Sequence, residues 1–319
     1  MKDVMLGGMM GHCVGDALGV PFESKKREEL EKNPVSDMQG HGTHNQPPGT
    51  WSDDTSLSVS LAAALTKGLD YNFIMEKFIQ WFDEGFYTPH GDVFDYGATT
   101  RRALVSYDKS KNPMKCGGSE ESDNGSGALM RILPLLFYLQ KHYGNHFQSQ
   151  KEAFDIIHKV SSLTHAHPRS HIACGIYLSV AAELTVHQNL DDAVIEGISK
   201  ANDFYHSQVD YQEELENFHR LDYKEFSEIP AKEIKSTGYV VDTLEAAIWC
   251  LLNSESYESC VLKAVNLGDD TDTIAAIAGG LAGIFYGYEQ IPEKWLNQIV
   301  KRDYIEKIII DYCASLQES

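Results

Sequence analysis

The chain has 319 residues, 42% hydrophobic and 23% charged, and its 47 acidic against 27 basic residues leave a formal net charge of −20. That length suits one large domain or two ordinary ones, and the absence of any linker-like low-complexity stretch makes a single domain over residues 1–319 the expectation. A surface this acidic repels nucleic acid and anionic membrane and tolerates divalent cations, so neither nucleic acid nor membrane is expected as a partner, and a monomer is the expected state.

Residues 4–20 predict a helix in which Gly7, Gly11, Gly15 and Gly19 recur at every fourth position and make one smooth stripe. Glycine costs about 1 kcal/mol per helical position against alanine, so four on one face point to another helix pressed very close. Asp16 lies beside the stripe, either as a structural hydrogen-bonding residue or as part of the outer surroundings of a polar site. Pro21 ends the helix, and Glu23 falls just beyond it. Residues 24–48, charged and then rich in Gly, His and Pro, predict a loop. Trp51-Ser52-Asp53-Asp54-Thr55 leads into an Ala/Leu-rich helix over 56–67. A helix over 71–82 with an apolar period of three to four residues follows, then a turn-rich piece at 91–97, a helix over 98–107 and a polar loop over 111–126.

Residues 128–143 predict a helix with Pro134 near its start, and 154–163 another. Thr164-His165-Ala166-His167-Pro168 breaks the pattern before helices over 169–186 and 191–205. Residues 208–235 are charged and poorly periodic. Gly238 to Thr243 leads into a helix over 244–252, and 256–266 is expected to be helical as well. Gly268-Asp269-Asp270-Thr271-Asp272-Thr273 then opens an apolar, small-residue helix over 274–288, with its own stripe of Gly279, Gly283 and Gly287. Two helical segments within 292–316 complete the chain. With no run of alternating strands and no repeat of 20–50 residues, the expected fold class is all-α, a compact orthogonal multi-helix bundle. Two small-residue stripes of the same period are natural partners, and packing the first helix on the late one brings Glu23 toward Asp270 and Asp272.

The six cysteines are scattered without a C-x-x-C pair, which reads as reduced thiols in the cytoplasm. The N-terminus does not read as a signal peptide, because Asp3 follows Lys2 and His12 and Asp16 interrupt the apolar run. No segment is long and apolar enough to span a membrane.

Two acid/hydroxyl clusters stand at helix starts, Ser52 to Thr55 and Asp269 to Thr273. Each alone fits a helix cap with acids in the first turn, which the helix dipole favours. Burying like charges together is costly unless a cation or hydrogen bonds compensate, and two such clusters plus Glu23 point to metal. Hard oxygen donors without Cys or His select Mg²⁺ or Mn²⁺. Ser122, Asn124, Gly125 and Ser126 precede a predicted helix and can cradle phosphate on backbone N–H groups, or form an ordinary loop with a cap. Arg131 can meet phosphate or form a structural ion pair. Tyr239 can stack on a base or pack in the core. His165, His167 and His171 also admit a zinc site.

The chain resembles the ADP-ribosylglycohydrolase family. The resemblance is carried in order by Gly15-Asp16-Ala17-Leu18-Gly19 with Glu23, Trp51 to Thr55, Phe94-Asp95-Tyr96-Gly97 with Thr99-Thr100-Arg101, Asn124-Gly125-Ser126, Leu129-Met130-Arg131, Thr164-His165, Gly238 to Leu244 and Gly268 to Thr273. It implies an all-α fold with two Mg²⁺ or Mn²⁺ ions in a central cleft, held by Ser52, Asp53, Asp54, Asp270, Asp272 and Thr273. It also implies that Glu23 and a metal-held aspartate such as Asp270 act in catalysis, and that Asp95, if not a turn cap, stands near the substrate ribose as an acid/base or ring-opening residue; Asp269, where relatives often have a small residue, reads as a cap or, like Thr271, as support for the ligands. His165 matches a histidine of the family's substrate cleft. The implied activity is release of ADP-ribose from a modified protein side chain, arginine by default. The alternatives are an ADP-ribose-binding or transferase-blocking immunity-type module, and a hydrolase of a free ADP-ribose derivative.

Overall fold

A computed structural model describes residues 1–222 and 225–318. The described residues form helices and short 3₁₀ turns, with three isolated bridges and no strand. Twelve helices of nine or more residues carry the architecture: α1 (Lys2–Gly19), α2 (Asp53–Leu65), α3 (Tyr71–Glu84), α4 (Ala98–Ser110), α5 (Pro134–Tyr143), α6 (Lys151–Ser162), α7 (Pro168–Leu184), α8 (Leu190–His206), α9 (Val240–Leu252), α10 (Tyr257–Val265), α11 (Thr271–Tyr286) and α12 (Arg302–Glu318).

The axis of the molecule is the pair α1 and α11. A Cβ added to Gly7, Gly11 or Gly15 would strike the backbone carbonyls of Gly283, Gly279 and Ala275, and one on Gly19 would strike Asp272 Cα. Gly279 and Gly283 meet the carbonyls of Gly11 and Gly7 in return. The two predicted stripes therefore face each other, and only residues without a side chain let the helices approach this closely. Gly287 is not part of the contact; it ends α11 at φ +92° with open space around it. α11 is buried along Thr271 to Ile284, and α7 is buried on every side over Arg169 to Leu184. Helix α12 packs across α1 and α2, and α8 covers α7.

Several boundaries differ from expectation for local reasons. Ser52 is the N-cap of α2, accepting the Asp54 N–H, so Asp53 and Asp54 lie inside the first turn rather than before it. Pro134 is the first residue of α5, where its missing N–H does no harm, and Leu129–Arg131 before it is a separate 3₁₀ turn. Helix α9 starts at Val240 rather than at 244. The loop over 24–48 contains a four-residue helix, Arg27–Leu30. The Arg27 guanidinium ties that helix to the backbone carbonyls of Leu267 (2.8 Å) and Ile234 (2.7 Å), and to that of Ala231.

Candidate active site: a carboxylate cleft between helix ends

The C-terminal end of α1 and the N-termini of α2 and α11 converge on one place. Gly268 (φ +78°) and Asp269 (φ +59°) turn the chain just before α11. Asp269 N donates to Lys25 O and Asp269 O accepts from Ser24 N, both at 2.7 Å, so the turn is zipped to the residues that follow Glu23. Asp270 N donates to Ser236 O at 2.9 Å and fixes the same turn from the other side.

A cavity of about 550 Å³ opens above these ends. Glu23, Asp53, Asp95, Asp270 and Thr273 line one part of it, and Asp54 and Asp272 are buried next to them. Glu23, His44, Asp95 and Asp272 each offer a ligand atom within 4.8 Å of the others, and so do Asp16, Asp54 and Asp272. Among the described residues no Lys or Arg forms an ion pair with any of these carboxylates. Burial, reinforced by neighbouring carboxylates, raises Asp53, Asp54 and Asp272 well above the ordinary aspartate range and Asp270 to about 7. Asp95 is raised by burial and by Glu23.

The arrangement fits divalent cations on its own chemistry. Asp54 Oδ1 and Asp272 Oδ2 are buried without any hydrogen-bond partner, and such orphaned charged oxygens are costly unless a cation takes them. The donors are chiefly carboxylate and hydroxyl oxygens, the set hard cations prefer. Asp16 has a different part. Its carboxylate accepts from Ser52 N and Thr55 N at 3.0 Å and from Thr55 Oγ1 at 2.6 Å, so it anchors the start of α2 with its oxygens already engaged.

The rest of the lining is rich in hydroxyls and glycines, with Thr99, Thr100, Ser122, Gly125, Ser126 and Thr237. His165 belongs to it as well, though almost wholly buried, with Nδ1 2.8 Å from Thr164 Oγ1.

A family model described as ADP-ribosylglycohydrolase matches residues 1–319. The chain belongs to the ADP-ribosylglycohydrolase family. It is 32% identical over 308 residues to the ADP-ribosylarginine hydrolase Tri1 of Serratia proteamaculans, covering 96% of this chain and 78% of that protein. It is 30% identical over 304 residues to the ADP-ribosyl-[dinitrogen reductase] glycohydrolase of Rhodospirillum rubrum, covering 94% and 91%. A solved structure titled ADP-ribosylglycohydrolase-related protein complex superposes with a TM-score of 0.78 at 28% identity, over 99% of this chain and 98% of that one.

Within this family frame the expected residues fall in three groups. Glu23, Asp53, Asp54, Asp95, Asp270, Asp272 and Thr273 come together at the cleft. Ser52 joins them, but its hydroxyl donates to Asp54 Oδ2 at 3.0 Å. Asp269 turns away from the acids to pair with Lys26 at 2.6 Å, and Thr271 donates to Gly19 O at 2.8 Å, which locks α11 to the end of α1.

Four expected positions have other surroundings in the structure. Asn124 does not line the cavity; its amide donates to Glu121 O at 3.0 Å and its carbonyl accepts from Ser170 Oγ at 3.1 Å. No α-helix N-terminus follows the Ser122–Ser126 stretch, because a 3₁₀ turn comes first, and the Ser126 N–H is already given to Gly238 O at 3.0 Å. Tyr239 does not line the cavity; it stands half-buried against the hydrophobic core and under Arg169, whose Nη1 donates to its hydroxyl at 3.0 Å. Arg131 is fully buried and forms no ion pair among the described residues. The zinc alternative also fails, since His171 places one ring nitrogen on Ser162 Oγ at 2.7 Å and the other on Tyr211 OH at 3.1 Å.

His44 went unnoticed in the sequence. It sits in a tight turn where His41, Gly42 and Asn45 all have positive φ, and its Nε2 meets Glu23 Oε2 and lies 3.9 Å from Asp95 Oδ2. The contact with Glu23 raises its pKa. Its only signal in the sequence is a histidine between Thr43 and Asn45 in an aperiodic loop, which says nothing about what lies across from it.

Proposed function

We propose that this chain, acting as one domain, hydrolyses the N-glycosidic bond between ADP-ribose and an arginine side chain of a modified protein. The observation that carries the reading is the uncompensated carboxylate cluster in one cavity whose remaining lining is rich in hydroxyls. Membership of the family and the names of the Serratia and Rhodospirillum relatives support the ADP-ribosyl substrate, and the former supports the arginine linkage.

In this reading Asp53, Asp54, Asp270, Asp272 and Thr273, with Ser52, would hold two Mg²⁺ or Mn²⁺ ions. Bound there, the ions supply fixed positive charge and Lewis acidity for oxygen groups of the substrate. The protein's own residues do the rest. The hydroxyls of Thr100, Ser122 and Ser126 donate to the diphosphate. Glu23 and Asp95 face the scissile centre, where their negative charge stabilises the positive charge that develops on the ribose as the bond to nitrogen lengthens. Glu23, oriented by His44, accepts a proton from the attacking water. Asp95, its proton affinity raised by burial, is suited to hand a proton to the departing side chain.

The test is ADP-ribose release from arginine- and serine-linked ADP-ribosyl substrates with Mg²⁺, Mn²⁺ or chelator. The expected result is release from the arginine linkage only, dependent on cation and abolished by Asp270→Asn. Release from no linkage, or full activity in the variant, would overturn the reading.

A further inference from the structure

Arg131, Thr164 and His165 make a chain of contacts that ends at the cleft, and the chemistry above leaves all three without a task. The Arg131 guanidinium lies 4.9 Å over the Phe78 ring and donates through Nη2 to Thr164 Oγ1 at 2.7 Å and to Val160 O at 3.2 Å. Its Nε and Nη1 have no partner. A buried cation without a carboxylate is expensive to keep, so its position calls for a reason.

That reason lies in the direction of the hydrogen bonds. A guanidinium only donates, so Thr164 Oγ1 accepts from it. The one acceptor placed for the hydroxyl's own proton among the described residues is His165 Nδ1, at 2.8 Å. With that proton given to Nδ1, the ring nitrogen accepts, and the neutral ring then carries its own proton on Nε2. Nε2 makes no hydrogen bond to any described residue. It faces the two cavity-lining glycines: a Cβ on Gly127 would come within 3.2 Å of it and one on Gly125 within 3.9 Å. Burial, aided by the Arg131 charge, depresses the His165 pKa to about 3, so the ring stays neutral.

We propose that Arg131 and Thr164 are positioning residues that fix His165 as its Nε2–H tautomer, so that the cleft presents a neutral, directed donor to an oxygen acceptor of its ligand. This rests on the cleft being the ADP-ribosyl site, but the tautomer is measurable without turnover.

Nitrogen-15 NMR of histidine-labelled full-length protein reads it directly, and calorimetric titration with ADP-ribose reads its consequence. The wild-type spectrum is expected to show His165 with protonated Nε2 and bare Nδ1. Thr164→Val, which keeps the shape and removes the hydroxyl, should release the tautomer and weaken ADP-ribose by about tenfold, the scale of one directed hydrogen bond; Thr164→Ser should restore both. Arg131→Met should release the tautomer as Thr164→Val does. A wild-type His165 protonated on Nδ1 would overturn the proposal without any variant, and so would an unchanged tautomer in folded Thr164→Val or Arg131→Met. Bare Nδ1 in a protein that cleaves no ADP-ribosyl linkage would leave this inference standing and remove only the proposed hydrolysis.

Discussion

At the scale of single residues, the cleft is defined by oxygens that nothing in the protein satisfies. Asp272 Oδ1 accepts the Thr273 N–H at 3.0 Å, whereas Oδ2 is buried and orphaned beside Asp54. Asparagine at position 272 would keep the first interaction and turn the orphan into a donor aimed at a carboxylate. In chelator at about pH 8, Asp272→Asn is therefore expected to raise the melting temperature by about 2 °C, corresponding to roughly 1 kcal/mol of relieved repulsion. The same change should lower hydrolytic activity by at least about a hundredfold, roughly 3 kcal/mol of lost transition-state stabilisation. Calorimetry and an ADP-ribose release assay check the pair of effects, and a variant less stable in chelator would show that hydrogen bonds, not an expected cation, hold these acids. The acids were legible in the sequence because an excess of carboxylates at helix starts is anomalous in itself. The surroundings of Asn124, Tyr239 and Arg131 are not legible in the sequence, because each has a partner that no spacing reveals. Asn124 is held by Ser170, Tyr239 by Arg169, and Arg131 by Thr164 with Phe78. His44 was missed for the converse reason, since only the fold sets it against Glu23 and Asp95.

At the scale of elements, two glycine stripes decide where the acids meet. Their four-residue period survives translation from sequence to structure because a helix face is a local property. The pairing followed because only another backbone can occupy so shallow a groove. What the period did not reveal is the run of 3₁₀ turns, whose short hydrogen-bonded units leave no periodic signature; Val209–Tyr211, Glu216–Asp222, Phe226–Glu228 and Ala231–Glu233 are the main examples. The interface gives an internal contrast. A Cβ at Gly15 meets the backbone carbonyl of Ala275, which cannot move without moving α11, whereas one at Gly8 meets the Ile284 side chain, which can turn aside. Alanine gains about 1 kcal/mol in helix propensity at either position, and overpacking costs about 1–3 kcal/mol. Gly15→Ala, at the costly end of that range, is thus expected to be destabilising by about 2 kcal/mol, and Gly8→Ala to lie within about 1 kcal/mol of the parent. Because Asp16 and Asp272 ride on the two helices, activity should fall with Gly15→Ala and not with Gly8→Ala. Denaturant midpoints and turnover at a temperature where all three proteins are folded test this; equal stability of the two variants would mean that α1 and α11 are free to slide.

At the scale of the whole molecule, folding gathers like charges that an acidic chain would otherwise keep apart. Asp16, held up to about 6, and Asp270, held up to about 7, start from an ordinary value near 3.8. Between about pH 4 and pH 7 the folded protein therefore binds more protons at these groups than the unfolded chain does. Stability then falls as pH rises through that window, the reverse of a salt-bridged aspartate. His44, raised by Glu23, contributes in the same direction, since its favourable charged contact is present at low pH and lost as pH rises. A bound cation changes the sign of the argument. Its ligands must be deprotonated, so its affinity grows with pH, and at a concentration of 100 times its dissociation constant it adds about 2.7 kcal/mol. Melting temperatures in chelator should decline from about pH 5 to about pH 8, and excess Mg²⁺ or Mn²⁺ should flatten that decline, with the largest gain at the alkaline end. Asp270→Asn should reduce the slope in chelator, which separates the cleft from the rest of the chain's acidic charge. A melting temperature that rises with pH in chelator, or one that divalent cation leaves unmoved at every pH, would mean that the acids at the ends of α1, α2 and α11 do not form a cation site.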